Sequence, residues 1–195
     1  KPRRLRSYGA EAHCSTRAAD QKRQHQRRIT LTIWIDPMPD VIKPIRPQDP
    51  RFAACGTLLL PQDDPARFGP DDAELHFAPD GQPRFYLMRL RRRPPLVAAM
   101  TCHHRVSQCL GSADAQPWWL AVAAPEAAGT GLNAGSVLLL KMLPGEGVKL
   151  HPGTWHAGPY VSEPSALFFN LELRTTNDDD HNCRPLDQPL PLALI

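Results

Sequence analysis

Proline occupies 22 of the 195 positions of this chain, about twice the usage of an ordinary soluble domain. Its ring fixes φ, removes a backbone donor and keeps it out of helix interiors and central strands. A chain punctuated this often cannot sustain long helices, and its strands must be short. The apolar share is still 42%, that of a protein with a buried core, and the length suits one domain. Together these features predict short strands joined by many turns.

The strands are visible as apolar runs bounded by Pro, Gly, Asp or Ser. The clearest are RFYLMRL (84–90), LVAAMTCH (96–103), WWLAVAA (118–124), SVLLLKML (136–143) and SALFFNLEL (165–173). No convincing long helix lies between them, so the pattern predicts a closed antiparallel barrel or sandwich. DPRFAACG (49–56) reads as a short helix, with Asp49 as cap, Pro50 at the first helical position and Gly56 as left-handed stop. Residues 62–83 read as a surface loop with a tight turn at PDGQ, and QPLPLALI (188–195) as an edge segment. Of the adjacent Trp118 and Trp119, one is expected inside and one at an interface.

The net charge of +3 hides an asymmetry. Residues 1–28 carry nine Lys or Arg against two acids, and the remainder fourteen against eighteen. The leader is therefore read as a disordered, basic, solvated extension, and the folded domain as residues 29–195. A polyanion could touch such a leader, but no specific nucleic-acid partner is expected. The leader has no apolar run of a signal peptide, and no segment reaches the ~20 apolar residues of a membrane helix. The five cysteines form no CxxC pair, so a zinc cage is not expected, and reduced thiols in a cytoplasm are.

One stretch concentrates chemistry. LHPGTWHAGPY (150–160) holds two histidines, a tryptophan, two glycines and two prolines. Read from Gly145, it resembles the second cupin motif, G-x5-P-x-G-x2-H-x3-N, with His151 in the Pro position and Tyr160 in the Asn position. The matching first motif, H-x-H-x4-E, falls on MTCHHRVSQCLG (100–111). There Thr101 takes the first His position, His103 the second and Gln108 the Glu position. Two further spacings resemble the ureidoglycolate lyase family of the cupin superfamily. Its E-R-H-P-x-x-x-Q-A-F segment lies over residues 101–110, and its G-V-x-x-H-x-x-x-W-H segment over GVKLHPGTWH (147–156). A short F-x-x-Y-G segment is matched loosely by FAACG (52–56). The resemblance spans residues 43 to 183; Thr101 stands where that family has Glu.

The resemblance implies an all-β, cupin-type antiparallel β-barrel with short helices, usually dimeric. It implies cleavage of ureidoglycolate, a small carboxylate, to glyoxylate and urea in allantoin and purine breakdown, with a divalent metal ion of unspecified identity. Carried onto this chain, the metal set is His103, Gln108 and His156. His103 and Gln108 would also touch substrate. His151 is the expected base, Lys149 a carboxylate binder, and Glu172 a proton donor. Trp155 reads either as packing or as a substrate contact. His103 and His104 must point to opposite faces of a strand, and the register makes His103 the inward one. Two alternatives stay open: another cupin enzyme acting on a small carboxylic acid, and a metabolite-binding cupin without catalysis.

Overall fold

In a computed structural model of the chain, residues 41–64, 67–69, 72–126 and 132–195 are described. The basic leader, and the expected start of the domain near residue 29, lie outside the described residues. Eleven strands follow in chain order: β1 (Pro44–Ile45), β2 (Gly56–Leu59), β3 (Pro83–Arg91), β4 (Leu96–Cys102), β5 (Gln108–Ser112), β6 (Trp118–Ala123), β7 (Leu138–Met142), β8 (Gly147–Leu150), β9 (Trp155–Tyr160), β10 (Ser165–Leu173) and β11 (Asn182–Pro191). One α-helical turn, α1 (Thr176–Asp179), precedes β11. No helix of the described residues is long and apolar enough to cross a membrane.

The strands form two sheets, ordered β1-β7-β6-β9-β4-β11 and β2-β8-β5-β10-β3. All pairings are antiparallel except that of β1 with β7. The sheets curl around a shared interior, so the expected all-β barrel is what forms. Trp118, Leu120, Val122, Leu140 and Met142 from the first sheet meet Leu110, Val148, Leu150 and Phe168 from the second in one cluster. At about 1.5–3 kcal/mol for each large apolar side chain removed from water, this interior is the main favourable contribution to folding.

A second cluster covers the opposite face of the first sheet. It gathers Met100, Cys102, Trp119, Ala121, Leu139 and Trp155, and the C-terminal segment packs Leu186, Leu190, Leu192 and Leu194 into it. β6 is consequently buried along all six residues. Trp118 faces the barrel interior and Trp119 the second cluster. Trp119 is thus shielded by its own chain, and the Trp pair supplies no surface for a second copy. The exposed apolar side chains lie elsewhere: Phe85 and Phe169 stack on the outer face of β3 and β10, with ring centroids 5.7 Å apart.

The proline-rich C-terminal segment behaves as an edge. β11 pairs only with β4 and shifts register between Pro185 and Leu190, since proline cannot donate to a ladder. The helix expected over 49–56 is a single 3₁₀ turn, Pro50–Ala54, capped by Asp49 accepting from the Arg51 amide at 3.0 Å. Gly56 is not its left-handed stop. It opens β2, and a Cβ there would lie 2.2 Å from the Lys149 carbonyl oxygen. The glycine is required by close backbone approach rather than by helix termination. Near the loop before β3, Gly81 N–H donates to Ala78 O at 2.8 Å, closing the turn expected there.

Candidate functional site

A cavity of about 290 Å³ opens between the two sheets. Each strand contributes alternate side chains, as the pleat dictates. Thr101 and then His103 enter from β4 and its end, Gln108 from β5, His156 from β9, and Asn170 and Glu172 from β10. Two segments over 40 residues apart in the chain are joined directly. The Gly153 amide donates to the His103 carbonyl at 2.6 Å. Gly153 has φ +84°, a left-handed conformation that side chains disfavour, and the turn it makes aims β9 so that His156 pairs with Thr101 across the sheet.

His103 and His156 are each held in one tautomer. A carbonyl only accepts, so the ring nitrogen facing it carries the hydrogen. His103 Nδ1 donates to Asp180 O at 2.6 Å, and His156 Nδ1 faces Thr154 O at 3.3 Å. Each ring is left with its Nε2 lone pair. The ring centroids lie 5.1 Å apart. Burial pushes the His156 pKa down to about 3, and the neighbouring His103 adds to the shift. Burial lowers His103 in the same direction, opposed by the Asp180 carbonyl and charge. Two neutral imidazoles therefore face the cavity at physiological pH.

Asp180 is the anchor of this arrangement. Besides binding His103 through its carbonyl, its buried carboxylate accepts from the backbone amides of His104 and Arg105 at 2.8 and 2.9 Å. Asn182 donates to Cys102 O at 3.3 Å. The segment between α1 and β11 is thereby fastened along the end of β4. It brings His181 to the cavity, with its ring 5.9 Å from that of His103.

The opposite wall is a polar relay on β3, β5 and β10. Gln108 Nε2 donates to Asn170 Oδ1 at 3.3 Å, and Asn170 Nδ2 donates to Tyr86 Oη at 3.1 Å and Glu172 Oε2 at 3.0 Å. The Arg84 guanidinium lies 3.4 Å from Glu172 Oε1 and 3.8 Å from the centre of the Tyr86 ring. Gln108 Oε1 is buried and has no hydrogen-bond partner. A buried amide oxygen left unpaired carries a desolvation cost of about 1–3 kcal/mol, which a ligand in the cavity would relieve.

Of the expected site residues, His103, Gln108, His156 and Glu172 come together here. Three do not. Val148 and Leu150 of β8 point into the barrel, so alternation sends Lys149 to the other face. His151 follows it there: Lys149 Nζ donates to His151 Nδ1 at 2.9 Å, and His151 Nε2 lies 3.3 Å from Ala53 O. Trp155 precedes the inward His156 and so joins the second cluster, with the Arg184 guanidinium 4.8 Å from its ring centre. It is packing, not a cavity contact. Conversely, Tyr86, Asn170 and His181 belong to the cavity without having been expected. Tyr86 and Asn170 lay within apolar strand runs, and His181 within NDDDHNC (177–183), whose hydrophilic character reads as an exposed loop.

A divalent cation fits the chemistry of this cavity in one way. Among the described residues, no group of three or more His, Cys, Asp or Glu side chains is arranged to hold a metal ion. The donors left without a protein partner on the expected metal residues are the two Nε2 lone pairs and the orphaned Gln108 oxygen. Histidine ligands whose other ring nitrogen binds a backbone carbonyl are the usual arrangement around transition metals. No protein-family model matches the chain, and no curated protein matches it.

Proposed function

We propose that this chain is a ureidoglycolate lyase-like enzyme that releases glyoxylate and urea from ureidoglycolate. The observation that carries the reading is the convergence of His103, Gln108 and His156, placed by two separate motifs, on one cavity that also holds Glu172. The reaction is redox-neutral. The substrate hydroxyl loses its proton, its C–O bond becomes a carbonyl, the C–N bond breaks, and the leaving nitrogen takes up a proton. A neutral imidazole Nε2, on His103 or His156, is the base for the hydroxyl. Glu172 and Asn170 hold the ureido N–H groups, and Glu172 relays a proton toward the leaving nitrogen. A divalent cation held by the Nε2 lone pairs of His103 and His156 and by Gln108 would take the place of the histidine base, making the hydroxyl acidic enough to lose its proton to water.

Purified protein incubated with ureidoglycolate, with and without added divalent metal, is expected to release glyoxylate. No release under either condition would end this reading. Binding of small carboxylic acids without turnover would favour a metabolite-binding protein, a role that Thr101 at the cavity supports, since the family it resembles has an acid there.

A homodimer belongs to the same reading. The exposed Phe85–Phe169 stack gives it an apolar surface to cover. Sedimentation at micromolar concentration is expected to show a dimer that Phe85→Glu dissociates; a monomeric parent protein would rule it out.

A further inference from the structure

The cavity is sorted by polarity along four of the strands that line it. On β3, Tyr86 is followed by Met88 and Leu90; on β5, Gln108 by Leu110. On β4, His103 and Thr101 give way to Ala99, and on β9, His156 gives way to Ala157 and Pro159. The antiparallel pairing of β4 with β9 through Thr101 and His156 puts the two histidines at one end and the apolar residues at the other. From Tyr86 to Leu90 the floor runs roughly 13 Å at ~3.3 Å per residue.

Beyond the apolar stretch lies a cation. Arg93 borders the cavity, and its guanidinium lies 5.8 Å from the ring centre of Tyr160, the neighbour of Pro159. None of the ion pairs among the described residues includes Arg93, whereas Arg84 at the polar end is matched by Glu172.

We infer that this cavity binds a carboxylic acid whose carboxylate, on Arg93, is separated by an apolar chain from a polar head at His103 and His156. The volume of about 290 Å³ corresponds to roughly ten water-sized volumes at ~30 Å³ each. A ligand that reached Arg93 with a polar group on every carbon would leave the Met88–Leu90 floor against hydrophilic groups, which lose hydration there without a partner. A chain of methylenes satisfies the floor, and Arg93 and the polar wall satisfy the two ends.

The test uses the 195-residue chain and isothermal titration with ureidoacetate, ureidopropanoate and ureidobutanoate, each with the ureido group on the terminal carbon. Only the choice of a ureido head rests on the lyase reading. None of the three carries the hydroxyl needed for cleavage, so binding is read without turnover. Affinity is expected to rise about fourfold with each added methylene. Arg93→Gln, on an exposed segment, is expected to weaken ureidobutanoate roughly tenfold and ureidoacetate least. Ala99→Leu, which fills the apolar end, is expected to abolish the gain with length and spare ureidoacetate. Affinity that is flat or falls with chain length, indifference to Arg93→Gln, or no binding of any of the three would overturn the inference. Failure of the parent protein to release glyoxylate from ureidoglycolate would remove the lyase reading and leave the length series standing.

Discussion

His156→Ala is expected to abolish turnover while the barrel still folds, and His104→Ala to change the rate little. His156 offers its Nε2 lone pair to the cavity. Loss of such a base costs ~10²–10⁴ in rate through proton transfer alone, and more where a bound cation leaves with it. The strand survives the change because the backbone of residue 156 pairs with Thr101 on one side and Val122 on the other. His104 is exposed and lies outside the cavity lining. Steady-state kinetics on both variants decides the matter: equal losses would mean that the inward and outward faces of this segment are assigned backwards.

The same variant carries a second readout that does not need activity. An unfolded histidine takes up a proton near pH ~6.5, whereas folded His156 does so only at about 3. Between these values the unfolded chain binds more protons than the folded one. Stability from the neutral ring is therefore fully present above pH ~6.5 and is lost as pH falls toward 3. His103 and His151 are shifted in the same direction, so part of the slope persists without His156. Thermal midpoints of the chelator-treated protein from pH 7.5 to 4.5, as about the workable window, should fall less steeply in His156→Ala than in the parent.

The second large effect concerns the barrel interior. Trp118→Ala is expected to destabilise the fold by about 3–5 kcal/mol, enough to unfold a domain of ordinary stability at moderate temperature. Trp118 is 1% exposed and meets Phe168 edge-on, with ring centroids 5.2 Å apart. Phe168 comes from the other sheet, so the pair joins the two halves of the barrel across the interior. Trp118→Phe should be much milder. The indole Nε1 is buried without a hydrogen-bond partner, and removing an unpaired donor returns part of what the smaller ring forfeits in contact. Urea unfolding of both variants gives the comparison; similar midpoints for Ala and Phe would contradict this account of the interior.

Local features of the chain already marked much of this. Apolar runs bounded by Pro, Gly or Asp located β3, β4, β6, β7 and β10 to within about two residues, because solvent-excluded strands need continuous apolar side chains and turns need residues that break them. The strands that went unread are short or polar. β5 is QCLGS and β9 is WHAGPY, and each is a strand because neighbours on both sides supply its hydrogen-bond partners. The histidines His103 and His156 were legible because a glycine-bearing turn and a fixed spacing are local properties.

Which face of each strand looks inward is another kind of fact. Alternation says that Lys149 and His151 share a face and that Trp155 and His156 do not. It does not say which face meets the cavity. In this barrel the outer face of the first sheet is buried as well, so β6 shows no polar side to mark the exterior. Lys149, His151 and Trp155 were therefore drawn to the site by proximity in sequence, and the register of β8 with β5 and of β9 with β6 placed them away from it. Tyr86, Asn170 and His181 reached the cavity the opposite way. Tyr86 and Asn170 are joined by the pairing of β3 with β10, and His181 is brought in by the hold of Asp180 on the end of β4. Residues more than 70 positions apart meet there only once both sheets have closed, because the hydrogen bonds that bring them together exist in no isolated segment of the chain.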